Sequence, residues 1–107
     1  MKVRGIFSFL VGAVLVQFAL AKMPFTNDIF GKLEGTLDFC IQVDNSAAKK
    51  YDEKKKSLVK DVPEGEVAKD RESDEYKSGY KWVGEELRKL QKNEALKACS
   101  TALESKT

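Results

Sequence analysis

Two cysteines roughly 60 positions apart, Cys40 and Cys99, constrain this chain more than any other feature it carries. A bridge between them encloses most of the domain. On chain-entropy grounds a loop of roughly 60 residues contributes about 4 kcal/mol, comparable to the whole net stability of a small domain. The competing readings are a redox pair and a metal site, both ordinarily marked by C-x-x-C spacing or nearby histidines. This chain has neither, so a structural bridge is expected if the chain matures where disulfides persist.

The N-terminus points to such a compartment. Met1-Lys2-Val3-Arg4 is followed by an apolar run from Ile6 to Ala21, interrupted by Ser8, Gly12 and Gln17 and closed by Ala19-Leu20-Ala21. A charged start, an apolar stretch and a small-x-small ending form a secretory signal peptide, with cleavage expected after Ala21. A membrane anchor is the rival reading, but crossing ~30 Å of hydrocarbon takes roughly 20 apolar residues, and this run is shorter and carries a glutamine. The expectation is an exported protein, periplasmic or secreted, with no stable membrane anchor after cleavage. Residues 22–26, with Pro24, read as a flexible lead-in, and residues 27–107 as a single helical domain.

Charge and composition exclude several functions. Lys2 and Arg4 leave with the leader, so 17 basic residues balance 17 acidic ones in the remainder. Nucleic acid is not an expected partner, because phosphate binding relies on a net basic surface. The absence of histidine removes the residue most used in acid–base chemistry near neutral pH and the commonest metal ligand. No glycine-rich phosphate loop, serine-nucleophile motif or metal-ligand spacing is present. No cofactor, no metal and no enzymatic activity are expected.

Apolar periodicity predicts an all-α fold, a small bundle of four to five helices closed by one disulfide. The first helix starts at Asn27 or Asp28 and places Phe30, Leu33, Leu37, Cys40 and Ile41 on one face, with Gly31 and Gly35 weakening its propensity. Asp44-Asn45-Ser46 offers N-caps for a second helix from about Ala47 to Lys60. There Lys55 occupies an apolar position and is expected to snorkel. The lysines at 49, 50, 54, 55, 56 and 60 fit an anionic-lipid or acidic-partner patch or, with Asp52 pairing to Lys56, a solvated face, which is the favoured reading. Pro63 is expected as the first residue of a short helix to Arg71.

Ser73 then starts a helix from Asp74 to Gln91. Its stripe of Tyr76, Tyr80, Val83, Leu87 and Leu90 makes it the expected central packing element. Glu85 is expected to pair with Lys81 and Lys89. Asn93 is expected to cap a last helix whose Leu96, Cys99 and Leu103 face inward.

Trp82 lies about 100° from the centre of the Tyr76–Leu87 stripe, at the edge of the core. Tryptophan is enriched at binding hot spots, so Trp82, with Gly79 leaving room for a neighbouring backbone or a partner to approach and Glu86 beside it, is the candidate partner contact. The favoured alternative has Trp82 covering the second or third helix. The tyrosine rings are expected in the core, with hydroxyls reaching solvent or a backbone acceptor.

The plan of an exported, all-helical domain with one long-range disulfide is similar to that of small periplasmic acid-stress chaperones and of periplasmic immunity proteins; the likeness is architectural and assigns no residues. The leading expectation is a monomeric, non-enzymatic protein that binds another macromolecule as an inhibitor or adaptor, its partner being an unknown protein. Two alternatives are a carrier with an apolar cavity lined by Phe30, Leu37, Tyr80 and Leu87, and a stress chaperone that opens in acid.

Overall fold

Two helix starts in this chain are set by short hydroxyl side chains, Thr26 and Ser73, that satisfy free backbone amides. In the computed structural model, which describes residues 23–104, Thr26 is extended (φ −65°, ψ 158°) and its hydroxyl accepts from Ile29 N at 3.3 Å. This opens α1, Asn27–Val43, with Asp28 at the positive end of the helix dipole. The cap is therefore Thr26, one residue ahead of the expected start. The preceding segment is more engaged than a free lead-in, since Met23 and Phe25 lie partly buried against the core. The expected signal peptide lies outside the described residues.

After α1 comes a 3₁₀ turn, Asn45–Ala47, where N-capping side chains were expected. Asp44 turns to other partners: one carboxylate oxygen accepts from Ser46 Oγ at 2.8 Å and the other from Tyr51 Oη at 3.3 Å. The second helix, α2, is accordingly shorter than expected, Ala48–Leu58, and begins without a side-chain cap. Lys55 and Lys56 in its last turn suit the negative end of the dipole, and Lys56 pairs with Asp52 at 3.2 Å as expected.

Pro63 sits just before α3, Glu64–Arg71, and not inside it. Its ψ of 141° is extended, while its carbonyl accepts from Glu66 N and Val67 N. Ser73 then caps α4, Asp74–Arg88, accepting from Tyr76 N at 3.2 Å. α4 stops short of Gln91, which leaves Leu90 beyond its end and exposed. The last helix, α5, spans Lys92–Glu104. Here Glu94 reaches back to accept from Gln91 N at 3.1 Å, so Asn93 is an exposed helical residue and not the cap. Among the described residues the chain is these five α-helices and one 3₁₀ turn, an all-α bundle closed by a Cys40–Cys99 disulfide.

The central element is α1, not α4. α4, α2 and α5 all pack on it, α4 most extensively. Gly31, Gly35 and Gly79 make that contact close. A Cβ on Gly31 would lie 2.2 Å from the Tyr76 carbonyl oxygen, and one on Gly79 would lie 2.6 Å from that of Asp28. The glycines that lower α1's propensity thus let two backbones meet.

Two apolar clusters flank α1. One gathers Leu37, Tyr51, Leu58 and the fully buried bridge between Cys40 and Cys99, tying α1 to α5. The other gathers Phe30, Val67 and Tyr76, joining α1 to α3 and α4. None of the described helices is long and apolar enough to cross a membrane.

Candidate functional site

Trp82 stands out from α4 with 53% of its surface exposed, more than a residue covering the second or third helix would show. Its neighbour is Lys32 of α1, whose Nζ lies 4.9 Å from the ring centroid. Lys32 is itself held by Asp28 at 3.1 Å, so the cation over the indole is fixed from its own helix. One turn further along α4, Glu86 meets Lys89 at 3.2 Å, where pairing of Lys89 with Glu85 was expected. Gly79 is buried against the backbone of Asp28 and offers nothing to a partner. Of the three candidate contact residues, Trp82 and Glu86 share an accessible face of α4, and Gly79 serves the fold.

A second constellation lies between α1 and the helices covering it. Glu34 is 1% exposed, on the buried face of α1. Arg71 of α3 grips it with both arms, Nε to Oε1 at 2.8 Å and an Nη2 donor to Oε2 at 2.6 Å. The Tyr76 hydroxyl donates to Oε1 at 2.5 Å. One turn along α1 the pattern repeats: Asp38 accepts from Lys55 Nζ of α2 at 2.6 Å and from the Tyr80 hydroxyl. The four-residue step from Glu34 to Asp38 on α1 matches the step from Tyr76 to Tyr80 on α4, so two carboxylate–tyrosine–cation sets stack in register.

The electrostatics follow from that geometry. Burial, then the hydrogen bond to Asp38, push the Tyr80 phenol up to about 12. Burial and the contact with Glu34 raise Tyr76 in the same direction. The hydrogen bonds to Glu34 hold the Arg71 guanidinium above its ordinary value. Among the described residues no buried side-chain polar atom lacks a partner, as buried charge requires.

Sequence reasoning missed this seam, although two signals were present. Glu34 sits between Phe30 and Leu37 in steps of four and three, a carboxylate on an apolar face. Lys55 occupies an apolar position on α2, and its ammonium is drawn in to Asp38 and does not simply snorkel. Likewise, the Tyr76 and Tyr80 hydroxyls donate to carboxylates, where solvent or backbone was expected.

The seam lines a groove of about 410 Å³ together with Lys77. Among the described residues no group of three or more metal-ligating side chains is placed to hold an ion. Phe30 and Leu37 are buried in separate clusters, and neither lines this groove. Compared with protein-family models, curated proteins and solved structures, the chain matches none.

Proposed function

We propose that this is an exported helical protein, released by cleavage after Ala21, that acts by binding another macromolecule and not by catalysis. The observation that carries this reading is Trp82: a large aromatic left more than half exposed on a rigid helix, with Lys32 fixed over its ring. Ordering such a residue on binding costs little entropy because its helix and neighbour already hold it, which is the property of a hot-spot anchor. A buried disulfide in a chain with a secretory-type leader supports export. The lack of histidine, and the engagement of Glu34 and Asp38 in internal hydrogen bonds, support binding over catalysis.

The test uses the tagged precursor in its native host, comparing wild type with Trp82→Ala. A protein recovered from the extracytoplasmic fraction with the wild type alone is then purified and titrated against both forms. The expected result is at least about tenfold weaker binding by Trp82→Ala, a typical cost of removing a hot-spot tryptophan. Equal affinity of the two forms would remove Trp82 from the interface and this reading with it.

A further inference from the structure

Counting charges in the groove beside the seam leaves a surplus of one sign. The negative groups are Glu34 and Asp38, and each of their four oxygens already accepts at least one hydrogen bond from Arg71, Tyr76, Lys55 or Tyr80. Donors remain. A guanidinium has five N–H groups and two arms of Arg71 are engaged; an ammonium has three, and one contact of Lys55 is made. Lys77, exposed on α4, lines the same groove, and its ammonium has no acceptor among the described residues. The lining carries three cations against two carboxylates, an excess of one positive charge.

From this balance we infer that the groove is a binding site for a small organic monoanion, a carboxylate attached to an apolar body. This goes beyond the partner-binding reading and does not depend on it. A single negative charge neutralises the excess, whereas a dianion overshoots it within reach of Glu34 and Asp38. The carboxylate takes the spare donors of Arg71, Lys55 and Lys77, and the half-buried Tyr80 ring that lines the groove meets the apolar body. The volume of about 410 Å³ suits a small molecule. Arg71 is already oriented by Glu34 at 2.6 Å, so its free edge is held in place before a ligand arrives.

The experiment titrates the disulfide-intact mature protein with benzoate and acetate, and with the neutral isostere benzamide, at constant ionic strength. The Nε–Hε resonance of Arg71 and the ring resonances of Tyr80 report binding. Saturable shifts are expected with benzoate and weaker binding with acetate, which lacks the apolar body, and benzamide is expected to bind about tenfold more weakly than benzoate because it lacks the charge-assisted hydrogen bonds. Lys77→Gln should weaken carboxylate binding about fivefold, while Lys97→Gln, which removes the same charge from α5, should leave it unchanged. The inference is overturned if benzoate gives no saturable shift, if acetate or benzamide binds as well as benzoate, or if the two lysine variants behave alike. Thermal unfolding of Lys77→Gln establishes that any loss is local, since its exposed ammonium supports no described contact.

Discussion

The two flanks of α1 hold together by different physics. Around Leu37, Tyr51, Leu58 and the Cys40–Cys99 bridge, stability comes from apolar burial and a covalent link that shortens the unfolded chain's freedom. Around Glu34 and Asp38, one fully buried carboxylate and one partly buried carboxylate are held by an arginine, a lysine and two phenols. The first flank tolerates imperfect geometry, because apolar contact is non-directional. The second depends on every partner being present, since an unpaired buried charge costs far more than the pair contributes.

Removing the bridge should have the largest effect. Replacing Cys40 and Cys99 together by alanine is expected to cost roughly 4 kcal/mol in urea unfolding, mostly through the unfolded state. If the loss is much smaller, the apolar flank stands without its link and the contrast with the seam narrows.

Arg71→Ala comes next. Glu34 would keep only the Tyr76 hydroxyl, and a loss of about 2–3 kcal/mol is expected, below the range for fully buried pairs because Arg71 is 44% exposed. Joining it to Glu34→Leu sharpens the comparison. With Tyr76→Phe added, so that no buried hydroxyl loses its acceptor, the combined variant should recover most of the loss, because it removes the stranded charge along with its partners; failure to recover would show that the seam contributes net stability.

Alkali should then separate the two flanks. The Tyr80 phenol is neutral in the fold up to about pH 12 but ionises near 10 when unfolded, so its contribution is whole below pH 10 and is lost as pH rises through 12. Tyr76 acts with the same sign. Urea midpoints measured from pH 9 to 12 should fall, and Tyr80→Phe should flatten that fall. Tyr51, whose phenol is also raised by burial, lies on the apolar flank and is the control: if Tyr51→Phe flattens the curve as much as Tyr80→Phe, the alkaline sensitivity does not belong to the seam.

The smallest effect on folding is expected from Trp82→Ala. With its ring more than half exposed, the substitution should move stability by no more than about 0.5 kcal/mol. A larger loss in thermal unfolding would mean that the indole supports the α1–α4 contact, and any binding defect of this variant would need separating from it.

Local patterns were read correctly where the physics is local. Periodicity and helix-end signals together placed the five helices, the short Glu64–Arg71 helix from Pro63 alone, Ser73 was recognised as a cap, and both cysteines were placed on buried faces. Boundaries moved by a few residues where a cap has several candidates: Thr26 in place of Asn27, and Glu94 reaching to Gln91 in place of Asn93. Burial of the Trp82 flank could not be read at all, because a residue at the edge of a stripe is covered only if a neighbouring helix crosses there.

By itself, then, the sequence determined the helical class, the helix faces and the pairing of the only two cysteines, since these rest on spacing of 3.6 residues per turn and on there being one possible bridge. Tertiary structure decided that α1 is central, that Gly31 and Gly35 mark a close backbone approach, and that Glu34 meets Arg71 and Tyr76 across separations of 37 and 42 residues. Such partnerships are set by how helices cross. A lone glutamate on an apolar face states a need for partners, and only the packed fold supplies them.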